Sequence, residues 1–324
     1  MRLSVVIPTR WDKNMKSVIE CLQSQTFKDF EVIFIVDRNL KNTWEIWRSD
    51  ILSDFLTDLS QDRIWKELWL DVKFITNLNS TFRSKRDAND PRIGGNASEL
   101  RNHWIKAAKG DFILLIDDDD WFEDDYLQAY ISSREKYRKI VWQDFVLCPT
   151  LMYRKTGHVQ NYGFSHFDYR MSRPVPAKMG VAERISVQMF SGNSLLAPAY
   201  VFKDHLFDER LDFVAEDLDF SRGLTEAGFP IIVLRDLKIY HMENDKDVLQ
   251  QARVGNEYAA FRKAKHRRIY VSKYASFWDK VKFYLLGRLG QAGRLSLKVL
   301  IYGKWRPRWQ IIKAIVRGTF VRLQ

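Results

Sequence analysis

Apolar residues along this chain arrive in short, nearly continuous runs separated by longer amphipathic stretches. Leu3–Ile7 is one such run, ending in Pro8-Thr9, and Glu31–Val36 is a second, ending at Asp37. Val72–Ile75 and Phe112–Ile116 are a third and fourth. Runs this short and this apolar predict strands buried on both faces. Between them, residues 15–25, 43–69 and 98–108 space their apolar positions as helices do, with Trp44, Trp47, Ile51, Phe55 and Leu59 on one face of the longest. Gly110 is a C-terminal stop for the helix before it. Strands alternating with helices predict an α/β fold around a mostly parallel sheet. Farther on, residues 154–180 have few apolar runs and predict a long loop. Order resumes over 187–241, with Ile231–Leu234 as a strand. From about residue 246 the chain turns basic and helical. The expected division is therefore a catalytic unit over 1–245 and a basic helical region over 246–324.

Composition changes this picture in one respect. The chain has 324 residues, 46% hydrophobic, enough for a large core, and a net charge of +11. That charge is uneven. Residues 251–324 hold 18 Lys+Arg against 2 Asp+Glu, and the rest hold 34 against 39. A slightly acidic body carries a strongly basic end, which calls for a polyanionic partner. Phe277, Val281, Tyr284, Leu285 and Leu289 form an apolar stripe beside Lys280, Lys282 and Arg288. After Pro307, Trp309, Ile312, Ile315 and Val316 repeat the arrangement with Lys313, Arg317 and Arg322. Basic amphipathic helices with interfacial aromatics suit an anionic membrane surface. The alternative is a helix packed on the body with solvated charges; nucleic acid is the least favoured partner. No run of 18 apolar residues predicts a spanning helix, and the short apolar run before Pro8 does not fit a signal peptide. Cys21 and Cys148 lie far apart, which disfavours a disulfide framework and points to a reducing compartment.

The chemistry gathers where the strands end. Ligands of open α/β sheets bind at the carboxyl ends of the strands. Here those ends carry Thr9, Asp37 and the run Asp117-Asp118-Asp119-Asp120. Four adjacent carboxylates repel one another unless a cation or solvent offsets them. A hard divalent ion does so through oxygen ligands, leaving positions for substrate phosphates. An EF-hand is excluded, because its sixth and twelfth positions are Phe122 and Gln128. The plain alternative is a solvated acidic turn. There is no GxxxxGK[ST], GxSxG or HExxH, and no GxGxxG after a strand, which disfavours P-loop enzymes, serine hydrolases, zinc proteases and Rossmann dehydrogenases.

Five pieces in order, LSVVIPT (3–9), SQTFKDFEVIFIVD (24–37), Arg101-Asn102, KGDFILLIDDDDWFEDDYL (109–127) and FDERLDFVAEDLDFSRGLTEAGF (207–229), resemble family 2 glycosyltransferases of the GT-A fold. The resemblance implies a nucleotide-diphosphate sugar as donor and a divalent metal, Mn²⁺ or Mg²⁺. It implies that Asp37 contacts the base with Pro8 and Thr9 nearby, and that Arg101 lies on the donor side. Asp117 and Asp119 match the DxD motif, with Asp119 foremost as metal ligand and its neighbours, Asp118 among them, reaching the ribose. Asp217 of the Glu216-Asp217 pair matches the catalytic base, and His241 matches a further metal or phosphate contact. For Glu216 and Asp217 the alternative is stabilisation of a helix N-terminus. Val36-Asp37 departs from the usual Asp-Asp, and Arg38-Asn39 from the usual Gly-Ser, which leaves the base open among UDP, GDP and dTDP. The expectation is a metal-dependent inverting glycosyltransferase, cytoplasmic and peripheral on the inner membrane face, acting on a glycan or lipid-linked glycan. The rival is a nucleic-acid-binding or nucleotidyl-transfer protein using the same acids for metals.

Overall fold

The structure, a computed structural model, describes residues 2–9, 15–36, 71–76, 97–190, 194–211, 215–241, 257–289 and 305–320. The first apolar run is β1 (Leu3–Thr9), followed by helix α1 (Met15–Ser24) and β2 (Phe30–Val36). Then come β3 (Asp71–Thr76), α2 (Ala97–Ala107) and β4 (Phe112–Leu115). β1, β2, β3 and β4 pair in parallel, with β1 between β2 and β4. The sheet order therefore reverses at β1. Such a reversal opens a crevice at the carboxyl ends of β1 and β4. β1 pairs with β4 only as far as Val6, so Pro8 and Thr9 extend past the shared ladder. A proline is tolerated there because no β4 partner needs its N–H.

The sheet continues on the other side of β4. β5 (Asp120–Trp121), α3 (Tyr126–Arg138) and β6 (Val146–Tyr153) follow in the chain. So do β7 (Val159–Asn161), β8 (Phe164–Asp168), β9 (Arg173–Pro176), β10 (Arg184–Val187) and β11 (Leu195–Pro198). Next are α4 (Ala199–Asp204), α5 (Glu216–Glu226) and β12 (Ile231–His241). The main order is β10-β12-β6-β11-β4-β1-β2-β3. β11 runs antiparallel between β4 and β6, and β6 and β12 are parallel. Side chains of β1, β4, β6, β11 and β12 make one contiguous core with Trp104, Tyr130 and Phe202. The mostly parallel α/β sheet is as the sequence predicts.

Two expectations need correction. The long loop over 154–180 contains β7, β8 and β9, and β8 and β9 form a separate two-stranded sheet. Its strands are short and β9 carries Pro174 and Pro176, which an edge strand accommodates but which hide it from pattern reading. The strand expected over Ile231–Leu234 runs on to His241, with an irregularity between Val233 and Lys238. Arg235, Asp236 and Lys238 break the apolar run there, so the sequence pattern stops too early.

The basic end forms helices α6 (Glu257–Tyr274), α7 (Phe277–Lys282) and α8 (Trp305–Phe320). A π-helical turn, Phe283–Leu289, continues α7 directly. Ile312 and Ile315 of α8 are buried and Arg317 lies over the Phe261 ring of α6, so α8 packs its apolar side on α6. Val316 is exposed, unlike Ile312 and Ile315 of its expected stripe. The other stripe is also rearranged. Phe277 and Leu285 are exposed, Val281 and Tyr284 are half-buried, and Phe283 is the buried one. The expected boundary after residue 245, the Trp-rich helix over 43–69 and the side chains of Leu289 and Trp309 lie outside the described residues. No helix among the described residues is long and apolar enough to cross a membrane.

Candidate active site

The buried FILL segment of β4 delivers the acidic run to the carboxyl edge of the sheet. The chain then folds back as β5, and Asp120 pairs with His241 at the end of β12. This pairing joins residues far apart in sequence. Asp120 Oδ1 lies 3.0 Å from His241 Nδ1, and Asp119 Oδ1 lies 3.6 Å from the same nitrogen. One ligand atom from each of Asp119, Asp120 and His241 fits within 4.8 Å of the others. Two carboxylate oxygens and an imidazole nitrogen at that spacing suit a hard or borderline divalent ion such as Mn²⁺ or Mg²⁺. Asp120 also accepts the backbone N–H of Asp117 at 3.2 Å, which fixes the turn.

A second cluster lies against the first. Arg101, from α2, is buried, with its guanidinium 5.2 Å from the Phe207 ring centroid. It reaches Asp117 Oδ1 at 3.5 Å and Glu216 Oε1 at 3.4 Å. Asp217 adds to the negative field on Arg101, so both halves of the predicted site converge on this one cation. Glu216 and Asp217 open α5, where acids favour the positive end of the helix dipole. The residue before them, Ala215, adopts a left-handed conformation with φ 69° and ψ 10°. A non-glycine residue held there is strained, and such strain gathers at functional sites. Asp217 Oδ1 accepts the N–H of Leu218 at 2.8 Å.

The electrostatics describe a site short of positive charge. Burial pushes Asp117 up to about 8, against the pull of Arg101 and with the push of Asp120 and Asp119. Burial likewise lifts Asp119 to about 7 although His241 opposes it. For His241 burial works against the proton, but the hydrogen bond to Asp120 and the charges of Asp119 and Asp120 prevail and raise it to about 9. Carboxylates held above their usual range gain from a divalent ion's charge, and the donor set fits such an ion.

The structure therefore brings together Arg101, Asp117, Asp119, Glu216, Asp217 and His241. Asp118 lies in the same turn, half-buried. Pro8 and Thr9 end β1 at the same edge of the sheet, Thr9 being buried. Asp37 lies outside the described residues. Asp117, expected in the metal set with Asp119 and His241, lies 3.5 Å from Arg101, and Asp120 lies 3.0 Å from His241. Asp120 escaped sequence reasoning because the DxD spacing selects Asp117 and Asp119. Its place beside His241 is set by the two-residue strand it shares with Trp121, which leaves no sequence pattern. Trp121 is half-buried against the core, between Tyr240, in an edge contact at 5.2 Å, and the Arg154 guanidinium at 5.4 Å. Ser194 is buried and hydrogen-bonded to Tyr126 and Tyr130, while 191–193 lie outside the described residues.

Comparisons with known proteins agree with this geometry. The family described as Glycosyl transferase family 2 matches residues 94–188. The putative colanic acid biosynthesis glycosyl transferase WcaA of Escherichia coli K12 is 23% identical over 247 residues, 75% of this chain and 73% of that one. Among solved structures, Staphylococcus aureus TarS 1-349 in complex with UDP-GlcNAc superposes with a TM-score of 0.57 at 17% identity, over 98% of this chain and 82% of that chain. The chain spans 41% of the longer S. aureus TarS structure, with a TM-score of 0.52. GalNAc-T7 with UDP, GalNAc and Mn²⁺ gives 0.55 at 14% identity, over 87% of this chain and 53% of that one. These findings bear out the resemblance to family 2 glycosyltransferases and the GT-A fold.

Proposed function

We propose that the chain is a metal-dependent, inverting glycosyltransferase that moves a sugar from a nucleoside-diphosphate sugar to a glycan of the cell envelope. We assign it to the cytoplasmic side of the cell as a peripheral membrane protein. The observation that carries the reading is the convergence of two carboxylate groups from distant parts of the chain. Asp119 and Asp120 meet His241 on one side, and Asp117 meets Glu216 through Arg101 on the other. UDP-bound neighbours favour UDP as the nucleotide, and the colanic acid relative favours a polysaccharide or lipid-linked glycan as acceptor.

In this reading Asp217 accepts the proton of the acceptor hydroxyl. The hydroxyl oxygen forms its bond to the anomeric carbon as the bond from that carbon to the diphosphate oxygen breaks, inverting the centre in a single displacement. Nucleoside diphosphate departs with the bonding electrons. Asp119, Asp120 and His241 would hold the divalent ion, whose chemistry is to offset charge on the leaving diphosphate. Arg101 positions Glu216 and Asp117 and adds a buried positive charge toward the donor. The strained start of α5 holds Asp217 at a fixed place.

The test is release of nucleoside diphosphate from a panel of sugar nucleotides with an acceptor, with Mn²⁺ and after chelation. Asp217→Asn is expected to lower turnover by about 10²- to 10⁴-fold with donor affinity kept. His241→Ala and Asp120→Asn are expected to weaken metal affinity by about tenfold or more. Wild-type turnover by Asp217→Asn, or full activity after chelation, refutes the assignment.

A further inference from the structure

The helix that follows α6 turns its greasy side outward. Phe277 is 71% exposed, Trp278 68%, Leu285 57% and Leu286 54%. Phe277, Val281 and Leu285 recur at intervals of four, and Trp278 and Leu286 at eight. On a regular helix of about 3.6 residues per turn such a row drifts around the axis. The wider π turn over Phe283–Leu289 takes up part of that drift and keeps the four side chains on one side. The opposite side is anchored. Phe283 is fully buried beside Phe167, Met189, Tyr270 and Val271. Gly287 packs so closely that a Cβ there would lie 3.0 Å from the Tyr169 carbonyl oxygen and 3.3 Å from Ser172 Cβ. Those two residues belong to the tip of the β8–β9 hairpin, which presents exposed Arg170, Met171 and Arg173 next to the helix. Lys280 and Lys282 lie on the helix between the apolar pairs.

We propose that α7, the π turn and the β8–β9 tip form a docking face for an anionic lipid surface. This rests on the reading of the protein as a peripheral membrane enzyme, and it names the surface. Aromatic and leucine side chains enter the headgroup boundary, and flanking Lys and Arg attract anionic headgroups. The charge of the surrounding segment, 18 basic against 2 acidic residues over 251–324, argues against a second copy on the same face, since two such segments repel. Exposed leucines at the centre argue against nucleic acid, whose binding faces set basic side chains and stacking aromatics toward phosphates and bases.

The test uses the full chain with vesicles of phosphatidylcholine alone and with added phosphatidylglycerol, read by co-sedimentation. Wild-type protein is expected to bind the anionic vesicles, less at high salt, and the neutral ones weakly. Trp278→Ser with Leu285→Ser is expected to cut the partition coefficient about tenfold or more. Both side chains are exposed, so melting temperature and UDP binding are expected to stay as in wild type. Those two readouts separate failure of this face from failure of the catalytic reading. The proposal is overturned if wild type ignores anionic vesicles, or if the double variant binds them equally. It is overturned too if the double variant loses a dimer instead of vesicle binding.

Discussion

Replacing Lys273 with methionine keeps the length of the side chain and removes one charge from the junction between α6 and α5. Lys273 Nζ lies 2.5 Å from Asp219 Oδ2 and 3.4 Å from Asp208 Oδ2. Asp219 is 3% exposed, and its other oxygen has no hydrogen-bond partner among the described residues. Burial already raises its pKa, and Lys273 is the strongest influence holding it down. Breaking a buried ion pair by removing one partner costs about 3–5 kcal/mol. Lys273 remains 32% exposed, and Asp219 can relieve its isolation by taking up a proton, so the lower end applies, about 3 kcal/mol. For a chain of 324 residues that is a fall in Tm of roughly 4–5 °C. A double-mutant cycle with Asp219→Asn isolates the pair, because the amide leaves no charge to strand. The double variant is expected to recover part of the loss, with a coupling of about 1.5 kcal/mol or more. The deficit of Lys273→Met is expected to shrink as pH falls, since the folded variant binds a proton on Asp219 more tightly than the unfolded chain does. A Tm loss below about 2 °C, or an additive cycle, refutes the reasoning.

Asp208 gives the opposite pH signature. Its partial burial works against charge, but hydrogen bonds from Arg210 and the charge of Lys273 hold it down to about 2. A depressed carboxylate contributes stability above its unfolded pKa of about 3.9, about 2 kcal/mol here, lost as pH falls toward 2. Acid unfolding of Asp208→Asn, followed by circular dichroism, is expected to be flatter over that window; an unchanged profile contradicts it. Gly318→Ala is expected to cost about 1–3 kcal/mol by overpacking, because its new Cβ would press on the Phe261 carbonyl of α6. A Tm equal to wild type would show that α8 does not sit on α6 as described.

Much of the sheet is legible in the sequence because its strands are buried on both faces. LSVVI, EVIFIV and FILLI are short, continuous and bounded by polar residues, and their carboxyl ends lead to the candidate site before any contact is known. Legibility fails where polar residues interrupt the run. Arg235, Asp236 and Lys238 hide the second half of β12, and with it the reason His241 reaches the acidic turn. It fails again for Asp120, whose role depends on a two-residue strand too short to leave a pattern. The helix after Ser276 reads as amphipathic, but its buried side is set by Gly287 and Phe283, which hydropathy ranks no higher than Phe277. Which aromatic faces inward follows from the β8–β9 hairpin, and that hairpin carries prolines in place of an alternating pattern.

The pairing of Asp120 with His241 spans 121 residues of chain, and Arg101 with Glu216 spans 115. Contacts of such sequence separation form late in folding, after the loop-closure entropy between them has been offset. Neither carboxylate cluster has its partners in a partly folded chain, and the family-matched stretch 94–188 alone holds neither His241 nor Glu216. The grouping of Asp119, Asp120 and His241 is thus a property of the completed chain topology. An ion that prefers this grouping to the unfolded acidic run would stabilise the native state by that difference in affinity.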